Sequence, residues 1–165
     1  MWSRYTRGLI PKINIPTKSQ DENMFESKDV DVDKKGIEIK LLLWDTSGRP
    51  SEKENICELF NEKNGVMVIY DVNNSDSFEV AKEWVKSAKA KMRENIAIML
   101  IGNKTDVADK RQVLTKEAIQ FAKDEKIKFE EITALDGEMR KLHVTFDNLI
   151  KFVHKRDSGI SVSQG

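Results

Sequence analysis

The chain predicts an α/β fold, a doubly wound and mostly parallel sheet with helices on both faces, and three patterns point there. Residues 65–72 and 96–102 are near-continuous apolar runs of the kind that parallel strands buried on both faces require. The stretches after them carry apolar residues at helical spacing. Upstream, residues 28–45 alternate polar and apolar side chains around a turn-forming segment, as a half-buried hairpin does.

In the hairpin, Val30 and Val32 alternate with aspartates, Asp33-Lys34-Lys35-Gly36 supplies the turn, and Ile37, Ile39, Leu41 and Leu43 return along one face. Ser75 is placed to cap a helix running to about residue 93, with Phe78, Ala81, Trp84, Val85 and Ala88 on its inward side. Thr115 opens a second amphipathic helix carrying Ala118, Ile119, Phe121 and Ala122. Residues 128–133 read as a strand, and 138–155 as a last helix with Leu142, Phe146, Leu149, Ile150 and Val153 inward. The lysines and arginine at Lys86, Lys89, Lys91 and Arg93 fall on a helix and read as a solvated face. With no repeat, linker or low-complexity tract, residues 1–156 form one domain, followed by a short polar tail at 157–165.

Composition narrows the class of function. A length of 165 residues with 39% hydrophobic and 34% charged content suits one soluble domain with a single core. Because the 28 basic residues are balanced by 28 acidic ones, no net field favours nucleic acid or acidic lipid as the main partner. The single cysteine, Cys57, rules out an internal disulfide, favours a reducing compartment and reads as a small buried apolar residue. His143 and His154 have no ligand-like neighbours in the sequence and read as helix-surface residues.

The motifs lie at strand ends. In Asp45-Thr46-Ser47-Gly48 the carboxylate can serve a Mg²⁺ shell, while Gly48 frees the backbone to approach a γ-phosphate and withdraw. In Asn103-Lys104-Thr105-Asp106 the Asp106 carboxylate offers two oxygens to guanine N1–H and the 2-amino group, a donor pair that adenine lacks. Glu131-Ile132-Thr133-Ala134-Leu135 follows the next strand, where the Thr133–Ala134 backbone can reach the guanine 6-oxo group. Each motif alone is a common turn; three in order, each after an apolar strand, are specific.

On these residues the chain resembles the Ras superfamily, and within it the Rab-like small GTPases, from about Arg4 to Lys155. Trp44-Asp45-Thr46-Ser47-Gly48 resembles the family's Trp-Asp-Thr-Ala-Gly. Gly65-Val66-Met67-Val68-Ile69-Tyr70-Asp71-Val72, with Ser77-Phe78 and Trp84, is similar to its fourth strand and third helix. Ile101-Gly102-Asn103-Lys104-Thr105-Asp106, with Asp109-Lys110-Arg111-Gln112-Val113 behind it, is a close match. The resemblance implies a Ras-like P-loop NTPase fold and GTP or GDP with Mg²⁺ as cofactors. Thr17 and Asp45 would serve the metal, and Gly48, Asn103, Lys104, Asp106, Thr133 and Ala134 the nucleotide. Protein effectors or complex subunits would be the partners. The implied setting is intracellular transport, cytoplasmic and peripheral to vesicles.

Departures from the family pattern limit what can be carried over. The phosphate-binding Gly-x-x-x-x-Gly-Lys-Ser/Thr does not occur in these residues, and Arg4-Tyr5 stands where the family's first helix ends. The reading favoured on this basis is a sequence lacking its first strand and phosphate loop; the rival is a protein that begins at Met1 and is completed by a partner. Since the loop supplies most of the contacts to the phosphates, nucleotide binding is expected to be impaired without it. Arg49 occupies the usual position of a water-orienting glutamine. Having five donors and no acceptor, it implies slow hydrolysis, so no catalytic residue is assigned. In the second switch, Glu52 and Leu59-Phe60 replace aromatic residues; Phe25 is a candidate partner for Trp44; and Leu135 replaces a lysine that packs over the base. The tail lacks the cysteines that prenylated Rab proteins carry, which implies no prenyl anchor. It also suggests a likeness to the unprenylated intraflagellar-transport subgroup, with a ciliary location. Two functions follow from these readings: a guanine-nucleotide switch, or a nucleotide-free scaffold subunit that keeps the fold as an interaction module.

Overall fold

The computed structural model describes residues 24–31, 38–46, 56, 64–91, 96–133 and 139–157. Strands β1 (Met24–Asp31) and β2 (Glu38–Asp45) pair antiparallel. The register puts Asp31 opposite Glu38 and Met24 opposite Asp45, so the pairing extends four residues upstream of the predicted hairpin start, Lys28. It also sets Phe25 directly across from Trp44, as the sequence suggested. The predicted hairpin turn, Cys57 and the second-switch residues Glu52, Leu59 and Phe60 lie outside the described residues.

A second sheet holds β3 (Gly65–Asp71), β4 (Ala97–Asn103) and β5 (Lys128–Glu131), all parallel, with β4 in the centre. Among the described residues β2 and β3 are not paired. The crossovers run through α1 (Ser75–Lys91) and α2 (Thr115–Asp124), and α3 (Met139–Asp157) closes the described chain.

Burial follows strand parity. Val68, Tyr70, Ile98 and Leu100 point into one core with Phe78, Ala81, Trp84, Val85 and Ala88 of α1 and Ala118 of α2. The predicted inward stripe of α1 is therefore buried in full. Met99 and Ile101 have the opposite parity and are also buried, on the face where α3 meets β4 and contributes Phe146 and Ile150. Helices thus cover both faces of β4, as its unbroken apolar run requires. The same expectation fails for β3: Met67 is only half-buried and Ile69 is 45% exposed. β3 is a flanking strand among the described residues, and α3 comes close to it at Gly65, where an added Cβ would lie 2.8 Å from Val153 Cγ2.

Two local readings need correction. Ser75 does not cap α1 but is its first residue; the cap is Asn74, whose Oδ1 accepts the Ser77 N–H at 3.1 Å. An amide at this position reaches the third helical N–H and satisfies one of the donors a helix start leaves free. Ile119 is 39% exposed, because the stripe of α2 runs through Ala118, Phe121 and Ala122, and position 119 is turned about 100° away from Ala118. His143 and His154 lie on α3 and are partly exposed, which agrees with their reading as helix-surface residues. The lysine face of α1 is exposed at Lys86, Lys89 and Lys91, as predicted, but Lys89 is tied down, its Nζ 2.7 Å from Glu125 Oε2 and 3.0 Å from the Glu125 carbonyl.

Side chains not singled out in the sequence stitch β5 to its neighbours. Buried Thr145 on α3 donates to Glu130 Oε2, and Asn148 Nδ2 donates to Glu130 Oε1 at 3.0 Å. On the opposite parity, Glu131 receives both arms of Arg111, at 2.8 and 3.1 Å, and the Thr115 hydroxyl at 3.2 Å. This bidentate pair raises the Arg111 pKa and anchors the segment that leads into α2. Nearby, Gly102 has no room for a side chain: a Cβ there would meet Tyr70 Oη at 2.9 Å, Val72 Cγ1 at 3.0 Å and Glu131 Cγ at 3.1 Å. The glycine leaves space for the Tyr70, Val72 and Glu131 side chains to lie over β4 just before the loop that follows it.

Candidate functional site

The carboxyl ends of β3, β4 and β5 converge on one edge of the sheet, where parallel α/β proteins place their ligands. β3 delivers Asp71, β4 delivers Asn103 and the loop to Asp106, and β5 runs into Ile132 and Thr133. Backbone hydrogen bonds hold these ends together. Val72 N–H donates to the Asn103 carbonyl at 3.0 Å, Ile132 N–H to Gly102 at 2.8 Å, and Thr105 N–H to Ile132 at 3.5 Å. Gln112 and Val113 both donate to the Val72 carbonyl at 3.0 Å, fixing the segment behind the loop.

Lys104 turns the chain. Its φ of 67° lies in the left-handed region, which costs a side-chain-bearing residue about 1–2 kcal/mol and is held only where neighbours demand it. Here the demand comes from both ends of the residue. Asn73 Nδ2 donates to the Lys104 carbonyl at 3.0 Å, and the Lys104 ammonium lies 2.6 Å from Asp71 Oδ2. Asp71 Oδ1 in turn accepts the Asn73 N–H at 2.9 Å. Partial burial pushes the Asp71 carboxyl upward, but hydrogen bonds from Lys104 and Asn73 and the Lys104 charge outweigh it and hold the group below its ordinary value. The stability this lends is present above the usual carboxylate range and lost as the pH falls through the lowered value.

Beyond Lys104, Asp106 is exposed and accepts a hydrogen bond on Oδ1 from the hydroxyl of buried Thr133. A carboxylate has about four acceptor positions, so this bond orients Asp106 and leaves capacity on both oxygens for an N–H pair. Asn103 Oδ1 and Asn73 Oδ1 are buried with no hydrogen-bond partner among the described residues. Unpaired buried amide oxygens cost free energy and are uncommon without a donor to meet them.

The structure thus brings together Asn103, Lys104, Asp106 and Thr133, four of the nucleotide-binding residues expected from the sequence. Ala134, Gly48, Thr17 and Arg49 lie outside the described residues. Asp45 ends β2, where its motif requires it, and the described structure gives its backbone position only. Among the described residues no group of histidine, cysteine, aspartate and glutamate side chains is arranged to hold a metal ion, and no helix is long and apolar enough to cross a membrane. Sequence reasoning missed Asp71 and Asn73. The signal was available: an aspartate at the last position of an apolar strand is placed by the same logic as Asp45.

Comparison with known proteins agrees with this arrangement. The family model described as the Ras family matches residues 1–155. The chain is 33% identical over 134 residues to the GTP-binding protein ypt3 of Schizosaccharomyces pombe, an overlap covering 81% of this chain and 60% of that protein. It is 32% identical over 135 residues to the Ras-related protein RABA4c of Arabidopsis thaliana, covering 82% and 58%. Over 130 residues it is 32% identical to the Ras-related protein Rab-11B of Dictyostelium discoideum, covering 79% and 57%. The chain therefore belongs to the Ras family, with a Ras-like α/β fold. Within that family it is a Rab-like member, and it spans less than two thirds of the length of these relatives.

Proposed function

We propose that the chain carries the guanine-recognising end of a Rab-like nucleotide switch acting in intracellular transport, cytoplasmic and peripheral to vesicles. The observation that carries this is the strand-end cluster in which Thr133 orients Asp106 and the Asn103 oxygen is buried with no partner among the described residues. Asp106 accepts from guanine N1–H and the 2-amino group. Asn103 meets a donor from the nucleotide or from a phosphate loop, and the Lys104 stem lies against the base. The Thr133–Ala134 backbone serves the 6-oxo group. Mg²⁺ would be held by Thr17 and Asp45 and would neutralise phosphate charge when bound, while Gly48 would sense the γ-phosphate. Arg49 cannot accept a hydrogen bond from the attacking water, so hydrolysis is slow and the switch persists in its GTP state. Protein effectors or complex subunits read that state.

A titration tests this reading. The 165-residue polypeptide, having guanine contacts but no Gly-x-x-x-x-Gly-Lys-Ser/Thr segment, should bind a fluorescent GDP analogue with micromolar to millimolar affinity, roughly −8 to −4 kcal/mol. Fusing a family-like first strand and phosphate loop ahead of Met1 should restore tight, Mg²⁺-dependent binding. Nanomolar binding by the unfused chain would contradict the assigned division of labour. Failure of the fused protein to bind any guanine nucleotide would favour the nucleotide-free scaffold.

A further inference from the structure

The geometry points to Asp71 as a positioning residue for nucleotide recognition, one that lays out the Lys104 side chain as a preformed ledge for the base; this deepens, and rests on, the guanine-binding reading above.

Asp71 is itself held fast. Its N–H donates to Ser77 Oγ at 3.0 Å, a hydroxyl whose own proton goes to the Asn74 carbonyl at 2.7 Å, and its Oδ1 takes the Asn73 N–H at 2.9 Å. That leaves Oδ2 aimed at the Lys104 ammonium, 2.6 Å away. The Lys104 backbone is fixed at the other end by Asn73 Nδ2 on its carbonyl, at 3.0 Å. The anchors are the last residue of β3 and a residue of the turn after it, so one short segment holds the lysine by its main chain and by its charge. The methylene stem between them is constrained in direction, although the side chain remains 55% exposed.

An exposed lysine needs no such restraint for stability. Water solvates its ammonium well, surface ion pairs contribute little, and immobilising the side chain costs rotamer entropy. The restraint has a use if the stem must already lie in place when a flat apolar ring arrives, because the entropy is then spent before binding rather than during it. Asp71 is the group that supplies this preorganisation, and it does so without touching the ligand itself.

The test is a double-mutant cycle on the 165-residue chain, read by NMR titration with GDP and by the Lys104 side-chain resonances. Asp71→Asn should weaken GDP binding about three- to tenfold, and Asp71→Glu should recover part of the loss. In a Lys104→Met background Asp71→Asn should have no further effect, because the residue it acts through is gone. Equal losses in both backgrounds would overturn the proposal, since Asp71 would then be acting on the fold and not on Lys104. The Lys104 signals separate this inference from the nucleotide reading. If no form of the chain binds GDP, that reading fails, yet protected ammonium protons and inequivalent ε-methylene protons that disappear in Asp71→Asn still support the positioning role. Resonances unchanged by Asp71→Asn overturn it.

Discussion

In the protein fused to a family-like first strand and phosphate loop, Asp106→Ala should remove about 2–5 kcal/mol of preference for guanine over adenine nucleotides. The carboxylate is oriented by Thr133 and stands at the end of β4, where a base edge would lie against it. Guanine presents two N–H donors to that carboxylate and adenine does not, so the variant loses two charge-assisted hydrogen bonds with one base and none with the other. Competition of GDP and ADP against a fluorescent GDP analogue measures the difference directly. The affinity for ADP should hardly change. A loss shared equally by GDP and ADP would mean that Asp106 supports the loop and does not read the base.

Phe78→Ala should destabilise the domain by about 3–5 kcal/mol, a large part of the 5–15 kcal/mol typical of a small domain. The side chain is 1% exposed and sits where α1 meets both β3 and α2. Its ring centroid is 4.8 Å from that of Tyr70 and 6.0 Å from that of Phe121, the second pair edge-to-face. Lys82 Nζ lies 4.4 Å from the ring centroid, so truncation removes a cation–π contact as well as the apolar filling. Urea denaturation followed by circular dichroism should show the midpoint falling sharply, with Phe78→Leu intermediate. A change below about 1 kcal/mol would mean that the surrounding side chains collapse into the vacated space and that Phe78 is not the rigid centre of this core.

The structure explains which parts of this molecule could be read from its residues. Where one element alone decides burial, the pattern was sufficient: Phe78, Ala81, Trp84, Val85 and Ala88 recur at helical spacing and are all buried. The apolar run of β4 was likewise legible, because a central strand covered on both faces has no polar side to alternate with. β3 has a similar run, yet Ile69 is exposed. Its burial depends on what packs against that face, and a strand's own residues do not carry that information. The helix start at Asn74 was misread by one position because Asn74, Ser75 and Ser77 are all capable caps, and only the backbone geometry selects among them.

The same division holds for the site. Asn103, Lys104, Asp106 and Thr133 could be placed from the sequence because their motifs stand at fixed offsets from strand ends, and the structure brings them to one edge of the sheet. The support beneath them was not: Asp71 and Asn73 reach Lys104 across 33 and 31 positions of sequence, and Arg111 reaches Glu131 across 20. Such pairings come from parallel strand register, in which Asp71 lies opposite Asn103, and register is a property of the folded sheet.

The central claim, that Asp106 reads the base, is tested most directly by changing which base it should read. In the fused protein, Asp106→Asn replaces two acceptors with one donor and one acceptor. Xanthine matches that pattern, since it keeps N1–H and carries a 2-oxo acceptor in place of guanine's 2-amino group. Competition binding of GDP against XDP should show the parent protein preferring GDP and the Asp106→Asn protein preferring XDP. If Asp106→Asn retains its preference for GDP, or binds both equally, the loop after β4 is not the base-reading element and the assignment fails.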